Sequence, residues 1–331
     1  MPKPMDESQF TDRKVLITGG LGFIGSSLAH RLVGLGAEVT LVDCVLPRQG
    51  GNLVNIRGIE DRVRVNFSDI SNVFGLRQLV PGVDFIFNLA GQTSHLDSMN
   101  DPTMDLNLNC VGHLALLETC RAQNLDCKIV FASTRQIYGK PDYLPVDEDH
   151  PIRPVDINGI NKVAGESYHL LYHRVYGLRS TALRLTNTYG PRMRIRDARQ
   201  TFLGVWIKAA LQGQPFEVWG GAQLRDFSYV EDVVDALLLA AVTPAVDGKA
   251  FNLSGEPVVS LKQLADLMVE IAGAAYEVRE FPAERLRIDI GDYHADDRRF
   301  RAATGWAPKV QLADGLERTL AYYRDNLQAY L

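Results

Sequence analysis

The apolar positions in the first half of the chain fall into short runs separated by stretches of helical spacing. KVLIT (14–18), EVTLVD (38–43), VDFIFNLA (83–90) and KIVFAS (128–133) are nearly continuous in apolar character, as strands covered on both faces are. Between them, SSLAHRLVGLG (26–36) and the stretch over roughly 103–123 read as helices, the first stopping at Gly36. Strands alternating with helices predict an α/β fold, a doubly wound parallel sheet of Rossmann type with right-handed crossovers.

After about residue 180 the rhythm loosens. STALRLTNTYG (180–190) is a strand entering a loop, and TFLGVWIKAALQG (201–213) is a helix. EVWGGAQLRDFSYVEDVVDALLLAA (217–241) mixes short strands with a helix whose acidic start suits its dipole. No linker, repeat or low-complexity tract interrupts this. The expected division is a nucleotide-binding domain over 1–180, with its core from about 13, and a smaller α/β lobe over 181–331 that returns some segments to the first domain.

Composition narrows the partners. Apolar residues make up 46% and charged residues 23%, ordinary for a soluble globular chain, and a net charge of −5 gives no global attraction for nucleic acid or an anionic membrane. The basic run Arg192, Arg194, Arg196 and Arg199 lacks interleaved aromatics. It reads as a solvated loop or as a phosphate contact within a small-molecule site. The start, MPKPMDESQFTDRK, is polar, no apolar run reaches membrane-spanning length, and Cys44, Cys110, Cys120 and Cys127 show no CxxC spacing. The expectation is a cytoplasmic protein with reduced thiols.

TGGLGFIG (18–25) sets Gly19, Gly22 and Gly25 three apart between a strand and a helix. Gly19 permits the tight turn, Gly22 lets backbone approach a pyrophosphate, and Gly25 lets helix and strand pack closely. The pyrophosphate would lie on the N–H groups of the first helical turn, which includes Phe23 and Ile24. Asp43, 24 residues after Gly19, ends the next strand. A carboxylate there accepts from ribose hydroxyls and repels a 2′-phosphate, which favours NAD over NADP; the plainer reading is a solvated strand end.

Further along, SDI (68–70), NLAG (88–91), NCVGHLALLE (109–118), FASTRQIYG (131–139), RLTNTYGP (184–191), RDFSYVEDVVDA (225–236) and TGWAPKVQLADGL (304–316) follow in order. With the glycine turn, these segments resemble the extended short-chain dehydrogenase/reductase family, the NAD-dependent nucleotide-sugar epimerases and dehydratases, over almost the full length. The resemblance implies that Asp69 and Ile70 touch the adenine, that Leu89, Ala90 and Gly91 lie beside the cofactor, and that Asn109 takes the family's asparagine position. It implies a nucleotide-sugar substrate and a homodimer formed through the helices near 103–123 and 158–176.

In that family a tyrosine four residues before a lysine removes a sugar hydroxyl proton, while a Ser or Thr holds the substrate oxygen. Counted from Tyr138, the hydroxyl position is Thr134, with Ser133 adjacent, and the lysine is Lys162. The tyrosine position is Asn158, whose amide cannot accept the proton. Several readings stay open. Lys162 or a water held by Asn158 and Thr134 acts as base, with Asp156, His95 and Tyr138 as further candidates; or the protein binds NAD and a nucleotide sugar without catalysis; or Asn158 is an engineered change, or a nearby side chain refills the space.

Dehydratases of this type follow the Thr with Asp and Glu, whereas Arg135 and Gln136 stand here, which disfavours dehydration. LAGQTSHLDSMNDP (89–102) looks more like the epimerases, so an epimerase is expected ahead of a dehydratase, decarboxylase or ketoreductase. Arg135 reads either as a partner for a substrate carboxylate or phosphate, including that of a uronic acid, or as a surface arginine. Asn187 and Arg225 match diphosphate-contacting positions, and Arg192 adds charge. Asp292 occupies a place where the family often has an arginine, with Arg285 and Arg287 just upstream. Trp219 reads as a base-stacking or a core residue. Glu166, His169 and His173 share a helix face but lack the order and fourth ligand of a metal site, so no metal is expected and the histidines read as exposed or interfacial.

Overall fold

A computed structural model describes residues 6–46, 49–282 and 288–331. Five strands of the first half and two later strands form a seven-stranded sheet. They are β1 (Lys14–Thr18), β2 (Glu38–Val42), β3 (Val63–Asn66), β4 (Phe85–Asn88), β5 (Lys128–Thr134), β6 (Arg179–Leu185) and an edge strand, Lys249–Asn252. Every pairing is parallel, and the order from that edge is Lys249–Asn252, β6, β5, β4, β1, β2, β3. The predicted doubly wound Rossmann-type sheet is therefore present. The short strand β3, which carries only two valines, had no clear apolar run to announce it.

Buried residues explain the layers. Val15 and Ile17 of β1 pack with Leu28 and Leu32 of the helix Phe23–Gly34 and with Val233 and Leu237 of the helix Val230–Val242. Leu16 faces the other way, into a cluster with Ile86, Leu116 and Ile129. Val230–Val242 and the edge strand thus pack on the central sheet although they come late in the chain. A separate cluster, including Trp206, Phe216, Leu264, Met268, Leu316 and Tyr323, fills the smaller lobe. The sequence segments VEDVVDA and GWAPKV meet through Asp232, whose carboxylate accepts from the backbone N–H groups of Lys309 and Val310, at 3.0 and 3.1 Å.

The stretch over 103–123 is not one regular helix. It is an α-helical segment Pro102–Leu106, a π-helical turn Asn107–Val111 and an α-helix Gly112–Gln123. The long helix Ile157–Tyr176 crosses it, capped by the Asp156 side chain and ended by left-handed Gly177. His169 on this helix is fully buried, which corrects the expectation of an exposed or interfacial histidine. It stacks on Phe131 at 4.3 Å and contacts the Asn88 amide at 3.1 Å, while His113 contacts the same amide at 3.0 Å. Glu166 instead pairs with Arg184 across β6.

Burial pushes the His169 pKa down to about 4 and that of His113 well below its ordinary value. Unfolded chains take up these protons below about 6.5, whereas the native state stays neutral, so stability present above pH 6.5 is lost as pH falls towards 4. Urea denaturation is expected to show a lower midpoint at pH 5 than at pH 7, and His169→Phe is expected to shrink that difference. An undiminished difference in the variant would contradict the account.

Candidate active site

The strand order reverses between β1 and β4, and a cavity opens at their C-terminal ends, as it does at such switch points. The glycine turn forms one wall. Gly19 adopts φ +67°, and a side-chain carbon on Gly25 would lie 2.2 Å from the Gly19 carbonyl, so helix and turn meet only because residue 25 is glycine. Gly22 caps the helix Phe23–Gly34 without a side-chain hydrogen bond, leaving the first-turn N–H groups free for an anion. Gly19, Gly22, Phe23, Ile24 and Gly25 all line the cavity.

Asp43, also in the wall, accepts from the backbone of Leu21 at 3.0 Å and of Val45 at 2.9 Å, one bond to each oxygen. That fixes the carboxylate beside the turn with lone pairs left over for ribose hydroxyls; burial raises its pKa. Asp69 and Ile70 line the same end. Thr18 Oγ1 accepts from the N–H groups of Leu89 and Ala90, each at 3.1 Å, and so anchors the loop after β4 over the turn. Leu89, Ala90 and Gly91 reach the cavity, whereas Asn109 lies behind them, fully buried, donating to the Gln92 carbonyl at 3.1 Å. A side-chain carbon on Gly91 would lie 2.4 Å from Asn109 Oδ1. These donors, acceptors and close backbone approaches fit a dinucleotide.

At the other end β5 delivers Ser133 and Thr134, and the helix Ile157–Tyr176 delivers Asn158 and Lys162; all four line the cavity. Lys162 donates to the Ala132 carbonyl at 3.1 Å, and its ammonium lies 5.0 Å from the centre of the Phe131 ring. Burial pushes its pKa down to about 8, against the attraction of Asp105. Ser133 is held by Glu166 at 2.6 Å. Asn158 is 3% exposed, and its amide donates to the Gln92 carbonyl at 2.8 Å and to Asp105 at 3.1 Å. Asn161 donates to the other Asp105 oxygen at 2.8 Å. The buried carboxylate of Asp105 therefore explains both amides, one helical turn apart, and nothing in its sequence position announced it.

Of the proximity candidates, Tyr138 is removed from the cavity. It is fully buried, donates to Asn252 at 2.7 Å and accepts from Arg184 at 2.6 Å. Asp156 has no exposed side chain and sits 2.8 Å from Nδ1 of His95, which lines the cavity.

The outer wall carries Arg135 and Asn187, joined at 2.9 Å, with Asn187 also donating to the Asp226 carbonyl at 2.9 Å. Arg135 is not a surface residue: its guanidinium lies 5.3 Å from the centre of the Tyr293 ring, and its Nη1 is buried without a hydrogen-bond partner. Arg225 lies outside the cavity lining, 7% exposed, bonded to the carbonyls of Leu224 and Gly291 and 3.7 Å from Asp289. Burial pushes its pKa down to about 10. Arg192 lines a separate depression near the C-terminus. Its neighbours Arg194 and Arg199 do reach the main cavity, both gripped by Asp197, so part of the basic run is ordered rather than a solvated loop. Asp292 accepts from the Leu224 backbone at 2.9 Å; Arg285 and Arg287 fall outside the described residues. Trp219 is half-buried and outside the cavity lining, with its indole N–H 3.2 Å from Glu217.

Comparison with known proteins agrees with this geometry. Residues 15–254 match the model of the NAD dependent epimerase/dehydratase family. A UDP-glucose 4-epimerase of Mycolicibacterium smegmatis is 32% identical, the alignment covering 95% of this chain and 100% of that one. UDP-glucuronic acid decarboxylase 1 of Xenopus tropicalis is also 32% identical, over 96% of this chain and 74% of that one. Among solved structures, the UDP-glucose 4-epimerase of Thermotoga maritima with UDP-glucose superposes with a TM-score of 0.86 at 30% identity, covering 95% and 99% of the two chains. That of Thermus thermophilus in complex with NAD gives 0.83 at 29% identity, covering 94% and 99%.

Proposed function

This chain belongs to the NAD-dependent epimerase/dehydratase family, and within it we propose a nucleotide-sugar epimerase that works through a transient ketone. It is an enzyme of that family with NAD as its cofactor. NAD, when bound, supplies the acceptor and later the donor of the carbon-bound hydrogen. Phe23, Ile24 and Gly25 hold its pyrophosphate by their N–H groups, Asp43 its adenosine ribose, Asp69 and Ile70 its adenine, and Lys162 its nicotinamide ribose. Thr134 holds the reacting sugar oxygen. The carrying observation is that the cavity brings Thr134 and Lys162 together while Arg135 and Gln136 follow Thr134, so the acid–base pair that water elimination needs is not beside it. The relatives named as UDP-glucose 4-epimerases support the same choice.

For the substrate, the unpartnered Nη1 of Arg135 favours a sugar carrying an acceptor group, with a uronic acid the strongest case. Exposed Leu106, Val111, Ile160, Leu171 and Val175 on the two crossing helices favour the homodimer, which light scattering would test. The function is tested by incubating the protein with UDP-, GDP-, CDP- and dTDP-sugars, UDP-glucuronate included, following 340 nm and the products by NMR. An epimer of one of them is expected; no turnover and no transient absorbance with any would overturn the reading.

Asn158 holds Asp105 in this account, so restoring the family's tyrosine is expected to harm the protein. Asn158→Tyr removes two buried donors and inserts a ring, costing about 1–3 kcal/mol for each effect. A lower urea midpoint without a gain in turnover is expected. Faster turnover at unchanged stability would mean that residue 158 still stands in the proton path.

A further inference from the structure

The proton released by the sugar hydroxyl needs an acceptor that Asn158 cannot be, and a second constellation in the same cavity meets the requirement. His95 opens a short helix, His95–Asn100, capped by Ser94. Its Nδ1 is buried and lies 2.8 Å from Asp156 Oδ2, while the side chain as a whole is 39% exposed and lines the cavity. Asp156 is fully covered and fixed twice more, by the Gly159 N–H at 2.6 Å and the Gln136 amide at 2.8 Å. Gly159 belongs to the helix of Lys162 and Gln136 to the turn after Thr134. One carboxylate therefore ties the imidazole to both elements that carry the reacting groups.

We propose that His95, oriented by Asp156, takes the hydroxyl proton and later returns it, in place of the family's tyrosine; this rests on the epimerase reading above. In the forward half the O–H bond breaks and its proton passes to Nε2, while the carbon-bound hydrogen leaves with its electron pair to NAD and a C=O bond forms. The return half reverses both transfers on the opposite face of the carbon. Asp156 acts as a positioning residue. At 2.8 Å from Nδ1 it favours the tautomer protonated there, which leaves the Nε2 lone pair as the acceptor, and its charge stabilises the imidazolium once formed. Asp97, two residues further along the same short helix, is engaged by Arg199 at 2.7 Å. Lys162, already donating to Ala132, is left to hold ribose and supply charge.

His95→Gln is expected to lower kcat by about 10²–10⁴ with unchanged binding of the nucleotide sugar by calorimetry and an unchanged Tm. His95→Ala should regain part of the loss when imidazole is added. Wild-type kcat in His95→Gln would overturn the proposal. Inactivity of the wild type across the whole sugar panel would instead overturn the epimerase reading. A readout independent of turnover is nitrogen-15 NMR of labelled histidine in the unliganded protein. The His95 signal should report protonation at Nδ1, and Asp156→Asn, which keeps the helix cap, should abolish that preference. An Nε2-protonated ring in the wild type would contradict the proposed role.

Discussion

Lys162→Met is expected to lower turnover by about 10²–10³ and, at pH 7, to leave the unliganded protein more stable than wild type. The two effects share one cause. Burial lowers the lysine pKa from 10.5 to about 8, so the native state pays about 3 kcal/mol to keep the charge that catalysis uses. Losing the bond to the Ala132 carbonyl returns about 1 kcal/mol of that, leaving a net gain of about 1–2 kcal/mol. The sign follows from linkage. Below about 8 both states are charged; between about 8 and 10.5 the native lysine is neutral and the unfolded one is not, so wild-type stability gains as pH rises through that window. The advantage of the variant should therefore shrink between pH 7 and pH 10 in thermal melts. Loss of activity together with a lower Tm at pH 7 would show that Lys162 is a structural residue.

Arg184→Met is expected to have the largest effect on stability, about 3–5 kcal/mol, because it strands a buried carboxylate. Glu166 and Arg184 are joined by two hydrogen bonds, 2.6 and 3.1 Å, with side chains only 5% and 6% exposed. The same arginine donates to Tyr138, and Glu166 holds Ser133 at the cavity. The loss should appear as a lower urea midpoint at unchanged slope, and adding Glu166→Gln should recover part of it. A single variant within about 0.5 kcal/mol of wild type would mean that the pair is solvated in solution.

The sequence made legible what local pattern encodes. Nearly continuous apolar runs announced β1, β2, β4 and β5, and the glycine spacing announced the turn, because each depends on residues within a few positions of one another. The helix after β4 was legible as a helix but not in its π-helical turn at Asn107–Val111, since apolar spacing does not register one extra residue in a turn. The basic run was legible as charge, but not in its division between Arg192 outside the cavity and Arg194 and Arg199 inside it. His169 was legible as a position on a helix face but not as the face packed against Phe131. What decides the site chemistry is longer in range. Asp105 meets Asn158 across 53 residues, and His95 meets Asp156 across 61. Such pairs depend on how the Pro102–Leu106 and His95–Asn100 segments cross the helix of Lys162, and no spacing along the chain displays that.

The central claim is oxidation and return of the same carbon-bound hydrogen at this cavity. Its most direct test is a proton NMR time course of the accepted nucleotide sugar with the enzyme in D2O. The account predicts an epimer in which every carbon-bound proton of the substrate is retained, because the hydrogen travels through NAD and never exchanges with solvent. Deuterium at the inverted carbon, or elimination of water in place of an epimer, would contradict it.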